Sequence, residues 1–118
     1  MPKPSDGSVT PATYQILLAL AGRDRHGYAI LKAVERQTES RIRLGPGTLY
    51  AAIRRLEDDA LIAESDWRPD PDLDDERRRY YTLTRTGRAL LVAETERLQA
   101  LLRLARRALG GGPLERPT

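Results

Sequence analysis

Cysteine is absent from the 118 residues, which excludes disulfides, thiol catalysis, thiol redox sensing and cysteine-held zinc. Phenylalanine is absent too and aromatics amount to 5%. The core must therefore come from Leu, Ile and Ala, and a rich aromatic ligand pocket is not expected. No stretch approaches the roughly 18 apolar residues of a membrane span, and the opening MPKPSDGS lacks the apolar stretch of a secretion signal. A cytoplasmic protein with no membrane partner is expected. Lysine occurs only at Lys3 and Lys32, so the positive side of the +3 net charge is almost wholly arginine. Arginine's planar fork suits phosphate and guanine edges. A genome whose base composition favours Arg and Ala would give the same bias, so composition alone decides nothing. The length suits one domain with a modest core and leaves little for a separate catalytic domain.

Residues 1–9 are polar and Pro-rich and read as a flexible arm. Thr10-Pro11 is a helix start, with Thr as N-cap and Pro in the first turn. The apolar residues Tyr14, Ile16, Leu17, Leu18 and Leu20 crowd most of this helix's circumference, so it is expected to be buried among several neighbours, and Gly22 ends it. A second helix is expected from about His26 to Glu39, capped by Asp24 or His26, with Tyr28, Ile30, Leu31 and Val34 inward. Arg41-Ile42-Arg43-Leu44 alternates and reads as a short strand, broken by Gly45-Pro46-Gly47. A third helix, Pro46 to Ala60, carries Leu49, Ala52, Ile53, Leu56 and Ala60 at helical spacing.

Two further alternating segments, Leu61 to Trp67 and Arg77 to Leu83, flank the turn-forming Arg68-Pro69-Asp70-Pro71-Asp72 and make a hairpin. Thr84 caps a long helix to about Leu109, and 110–118 reads as a disordered tail. The order is that of a mainly α fold with a small β-hairpin: a winged helix-turn-helix over 10–83, followed by a long C-terminal helix over 84–109. In that arrangement the third helix is presented to a DNA major groove.

Four stretches carry a family likeness: Thr10-Pro11-Ala12-Thr13-Tyr14-Gln15-Ile16-Leu17, His26-Gly27-Tyr28-Ala29-Ile30, Gly45-Pro46-Gly47-Thr48-Leu49-Tyr50, and Arg78-Arg79-Tyr80-Tyr81-Thr82-Leu83-Thr84. With Arg55-Leu56-Glu57 and Leu61-Ile62 in step, the chain resembles the PadR family of transcriptional regulators over roughly residues 9–107. A single long final helix places it with the short members. The resemblance implies a homodimer held by that helix, a palindrome-like operator, usually repression, and release by a small molecule or stress signal. Two departures stand out. Ala60 occupies a position where relatives usually close the helix with Gly. A left-handed Ala is strained by about 1 kcal/mol, so a different ending is expected. Gly45 replaces a Ser-like N-cap at a cost of a few tenths of a kcal/mol.

With Leu49, Ala52, Ile53 and Leu56 inward, Gly47, Thr48, Tyr50, Ala51, Arg54 and Arg55 lie around the outer part of the third helix. Its first turn offers unpartnered N–H groups and the positive dipole end to phosphate. Thr48 and Tyr50 can donate to phosphates, and Arg54 to a phosphate or a guanine edge. Tyr50 half-buried on a solvated basic face is the plainer alternative. Arg41 and Arg43 extend the cluster, since no acid occurs between Arg41 and Glu57. On the hairpin, Arg77 and Arg79 share one face and are assigned to phosphate, with pairing to nearby acids as the alternative. The tip carries Asp70, Asp72, Asp74, Asp75 and Glu76. A calcium loop would need Gly and Glu where Asp75 and Tyr81 stand, so no metal is expected. Nor is a cofactor or a catalytic residue, because the lone His26 suits capping. Trp67 either packs at the wing base or stacks a planar effector.

In the last helix Leu91, Glu94, Leu98, Leu101, Ala105 and Ala108 recur at spacings of four and three, and Leu90, Leu102, Leu104 and Leu109 widen the stripe. A small domain cannot cover it all, so Leu90, Leu91, Leu98, Leu101, Leu102 and Ala105 are assigned to a homodimer contact. The expected function is DNA-bound transcriptional regulation without enzyme activity, the partners being operator DNA, a second copy and a small-molecule effector. The alternative is a winged protein-interaction module that reads no DNA.

Overall fold

A computed structural model describes residues 9–66 and 78–110, with the element order α1 (Pro11–Gly22), β1 (Arg25–His26), α2 (Gly27–Gln37), α3 (Pro46–Asp58), β2 (Ile62–Ser65), β3 (Tyr80–Leu83) and α4 (Arg85–Ala108). Side-chain caps start three of the four helices. The Thr10 hydroxyl accepts the Thr13 N–H at 3.1 Å, His26 Nδ1 accepts that of Ala29 at 3.2 Å, and the Thr84 hydroxyl accepts that of Gly87 at 2.9 Å. Each occupies one of the donors that a first turn leaves unpaired. Gly45, ahead of α3, makes no side-chain cap.

The core is aliphatic. Ile16, Leu17 and Leu20 of α1 meet Ile30 and Val34 of α2, Leu49, Ile53 and Leu56 of α3, Ile62 of β2, Tyr81 of β3 and Leu91 of α4. α1 packs against α2, β3 and the first half of α4, as its broad apolar surface requires. It leaves Leu18 only 38% exposed. The Tyr14 and Thr95 hydroxyls, 2.7 Å apart, tie α1 to α4.

The sheet is antiparallel in the order β1-β3-β2, with Arg25 opposite Tyr81 and His26 opposite Tyr80 on one side, and Ile62 opposite Leu83 through Ser65 opposite Tyr80 on the other. Its third member corrects the sequence reading. Arg41–Leu44 is not a strand, and Arg25–His26 takes that place. The cause is local. The Ile42 N–H donates to the Thr38 hydroxyl at 3.0 Å and the Arg41 N–H to the Thr38 carbonyl at 3.0 Å, so both are occupied before any ladder could form. The in-out alternation survives nonetheless, with Ile42 and Leu44 packed on the core and Arg41 and Arg43 exposed.

α3 also ends differently from expectation. Ala60 is left-handed, with φ 63°, in the position the sequence reading supposed the chain would avoid. Its N–H donates to the Glu57 carbonyl and that of Leu61 to the Leu56 carbonyl, both at 2.9 Å. This pair of bonds is the Schellman closure. α2 closes the same way, Glu39 to Arg36 and Ser40 to Glu35, with φ 54° at Glu39 and 66° at Ser40. Beyond Ala60 the chain passes close under α4. The Thr84 hydroxyl lies 2.7 Å from the Ala60 carbonyl and 2.9 Å from that of Leu61, and a Cβ on Gly87 would overlap the Leu61 carbonyl oxygen.

Candidate nucleic-acid interface

α3 is anchored by Leu49, Ala52, Ile53 and Leu56, all buried. On a helix, positions 47, 51, 54 and 58 then form the opposite line. Gly47, Ala51, Arg54 and Asp58 are accordingly exposed, with Thr48 and Arg55 exposed on one flank and Tyr50 and Glu57 on the other. Arg43 stands exposed just before the helix. A Cβ on Gly47 would meet nothing within 4 Å, so the first turn is open to an approaching backbone. Glu57, Asp58 and Asp59 make the far end acidic, which confines the basic surface to the first three turns.

Tyr50 is placed differently from a simple outward reader. It is 45% exposed, and its ring lies over the start of α2, where a Cβ on Gly27 would overlap the Tyr50 hydroxyl. Gly27 is thus the spacer that lets α3's tyrosine close on α2. The same tyrosine borders a cleft of about 360 Å³ lined by His26, Gly27, Tyr28, Tyr50, Arg78, Arg79 and Tyr81. Tyr28, expected to point inward, is 63% exposed, and Lys32 sits 5.8 Å from its ring centre. The His26 ring meets Tyr80 edge-on at 5.2 Å, and its Nε2 lies 3.4 Å from Arg78 Nη1. Burial, then the nearby Glu57 carboxylate, push the Tyr81 phenol up, so it remains protonated.

Arg79, assigned to phosphate from the sequence, is exposed and 3.9 Å from Glu64. At that distance in water such a pair holds its partner weakly. Both Arg78 and Arg79 reach the cleft, although alternation would send them to opposite faces, because they precede β3 and are not part of its ladder. Arg77, Trp67 and the acidic tip from Asp70 to Glu76 lie outside the described residues. His26, Tyr28 and Arg78 were not assigned to binding from the sequence. The only local signal was the His26-Gly27-Tyr28 run, and its meaning depends on residues 50 and 78.

α4 has 24 residues, about 36 Å at 1.5 Å each. Of the six positions assigned to a partner, Leu91 is buried and Leu90 partly buried against the chain's own core, which corrects that part of the assignment. The same stripe continues past α1 through Leu98 to Leu101, Leu102 and Ala105. Leu101 and Leu102 are 49% and 52% exposed, and Leu104 and Leu109 53% and 66%. Glu94 is buried at the junction, and Arg97 reaches it with two hydrogen bonds of 3.0 and 2.6 Å.

The sequence model of the transcriptional regulator PadR-like family matches residues 16–93, from the core of α1 into α4. This chain belongs to the PadR-like family. It is 40% identical over 96 residues to the transcriptional regulator Rv3488 of Mycobacterium tuberculosis, covering 81% of this chain and 80% of that protein. It is also 41% identical over 86 residues to an uncharacterised 37.1 kDa protein in a transposon of Streptomyces fradiae. That match spans 73% of this chain but only 22% of the larger protein. Among solved structures, a PadR family transcription regulator from Clostridium difficile superposes with a TM-score of 0.62 at 27% identity, covering 82% of this chain and 98% of that one. The family and this neighbour are transcription regulators, and the winged helix fold with its long last helix is shared. Among the described residues no helix is long and apolar enough to cross a membrane.

Proposed function

We propose that this PadR-like regulator binds double-stranded operator DNA as a homodimer and acts as a repressor released by a small-molecule or stress signal. The observation that carries the reading is the exposed, acid-free first three turns of α3. There Thr48, Ala51, Arg54 and Arg55, with Arg43 before them, project from a helix whose other side is locked into the core. Arg54 reads a base edge or holds a phosphate, Thr48 and the open first turn at Gly47 take phosphate, and Arg77 and Arg79 bring the wing onto the backbone. The apolar stripe of α4 beyond Leu98 is covered by a second copy. Its two-fold axis sets the reading heads on half-sites about 34 Å apart. An effector changes the angle between the heads, so that this spacing no longer fits.

The test is selection from a random duplex library with the purified protein, repeated with Arg54→Ala. The expected result is a two-fold symmetric site that the variant binds about tenfold or more weakly, one good base or phosphate contact being lost. Enrichment of no sequence, with only salt-sensitive background binding, would transfer the fold to a protein-interaction role.

A further inference from the structure

The outward side of α4 is basic at both of its ends. Gly87, Leu91 and Glu94 are buried and Leu98 and Ala105 partly so, which fixes the line that faces the chain's own core. Helical spacing puts Arg85, Arg103 and Arg107 nearly opposite that line, with Arg88 and Arg106 on one flank, and all of these arginines are exposed. Their guanidinium groups make no hydrogen bond or ion pair among the described residues. Glu96 is the one carboxylate on that side of the helix, because Glu94 is buried and held by Arg97. The helix dipole accounts for Arg106 and Arg107 in the last turn but opposes Arg85 and Arg88, which occupy a first turn without any acid. Two unpaired arginines at the positive end of a helix weaken it, and an anionic partner reverses that cost.

This face is turned away from the outer side of α3. α4 packs on α1, whereas α3 packs on α2 and β2. The part of α3 that meets α4 is its closing end, where the Thr84 hydroxyl reaches the Ala60 carbonyl, far along the helix from Gly47. A duplex held by Arg54 therefore does not cover these arginines. From Arg85 to Arg107 is about 33 Å at 1.5 Å per residue, close to the roughly 34 Å after which one strand of a duplex returns to the same side. The arginines fall in two groups at the ends of that span, with Val92 and Gln99 between them. We propose that the outward side of α4 holds a second segment of duplex DNA by its phosphates, without reading sequence, so that one regulator bridges two duplexes. The bridge rests on the duplex-binding reading of α3, whereas the α4 contact goes beyond it. Anionic lipid suits this face less well, because Leu98, Leu101 and Leu102, which a bilayer would take up, lie on the other side of the helix.

The experiment immobilises the selected duplex, loads it with the full chain, and then offers a labelled duplex that lacks the site over a salt series. The wild type is expected to retain the second duplex, with log K falling by about 4 per decade of salt, the value of four to five phosphates. Replacing Arg85, Arg88, Arg103, Arg106 and Arg107 together with Gln should reduce retention roughly tenfold or more, while affinity and preferred sequence on the immobilised site stay those of the wild type. Replacing the same five with Lys should keep most of the retention, since the charges remain. Arg103→Gln with Arg106→Gln and Arg107→Gln alone should remove about half of the salt slope, and these residues lie beyond the part of α4 that packs on the core. Circular dichroism, Tm and sedimentation unchanged from the wild type confirm fold and assembly. Retention unchanged in both Gln sets, or capture of phosphatidylglycerol vesicles in place of the second duplex, would overturn the proposal. If the selected site is bound and no second duplex is retained by the wild type, only the α4 proposal fails. If no sequence is selected, yet the wild type binds any duplex and the Gln sets do not, the reading of α3 fails and the α4 contact stands.

Discussion

Replacing Ala60 with glycine should stabilise this protein, although it removes a methyl group and adds no contact. Ala60 sits at φ 63°, where the Cβ crowds the following carbonyl, a cost of about 1–2 kcal/mol for a residue other than glycine. The conformation is fixed from both sides. The two Schellman bonds at 2.9 Å hold it from α3, and the Thr84 hydroxyl reaches the Ala60 carbonyl at 2.7 Å from the start of α4. Glycine relieves the crowding but enlarges the unfolded ensemble, which returns about 0.4–1 kcal/mol. The net expected gain for Ala60→Gly is therefore about 0.5–1 kcal/mol. For a domain of this size that raises Tm by roughly 2–6 °C. The assay is urea unfolding at one fixed protein concentration, because any self-association shifts the midpoint by mass action. The midpoint should rise with the slope unchanged. A midpoint equal to or below that of the wild type would show that the left-handed residue is not strained, and the reasoning would fail.

Four other outcomes follow from the same structure. Gly87→Ala forces a Cβ into the Leu61 carbonyl and to within 2.9 Å of the Leu83 side chain, and should cost about 3 kcal/mol in urea unfolding. Gly22→Ala, with nothing within 4 Å, should change stability by no more than about 0.5 kcal/mol. The hydrogen bonds from Arg97 hold the Glu94 carboxyl below its ordinary value of 4.5, and a depressed carboxylate stabilises the fold above the unfolded value and loses that contribution as pH falls through the folded one. Urea midpoints should therefore drop below pH 4.5 more steeply in the wild type than in Glu94→Gln, and parallel curves would deny the linkage. Leu101→Glu with Leu102→Glu removes two half-exposed leucines from each protomer, on the order of 1 kcal/mol each. Counted four times in the proposed two-fold pair, that is about three decades in its dissociation constant. Sedimentation should show a monomer, and a variant that remains dimeric would place the contact elsewhere.

The fold was legible where local chemistry decides it. Thr10-Pro11 and Thr84 are caps whose hydroxyls do what their type suggests, and the spacing of Leu49, Ala52, Ile53 and Leu56 determines which side of α3 is buried. The misreadings share one cause, which is competition between partners for the same backbone group. Arg41–Leu44 has a strand's alternation, but its first two N–H groups, those of Arg41 and Ile42, are taken by Thr38, a residue of the preceding helix end. Arg25–His26 is too short to show any period, and it joins the sheet because β3 offers an open edge beside it. At Ala60 intrinsic preference argued against the left-handed cap. The packing of Leu61 against the core and the grip of Thr84 outweigh a strain of about 1 kcal/mol.

The proposed binding surface divides along the same line. Thr48, Ala51, Arg54 and Arg55 could be assigned from helical spacing alone, because the face a helix exposes follows from the face it buries. Arg78 could not. Alternation sets it apart from Arg79, yet both border one cleft, since the strand has not begun at either residue. The place of Tyr28 beside that cleft depends on residue 50 lying across residue 27, a contact 23 positions apart that a run of His-Gly-Tyr cannot announce. A glycine there is ambiguous in sequence, being equally a turn, a cap or a spacer. Only the overlap a Cβ would make with the Tyr50 hydroxyl distinguishes the spacer. That same contact ties the flank of α3 to the start of α2, so any ligand seated beside Tyr50 would bear on the position of the helix that carries Arg54.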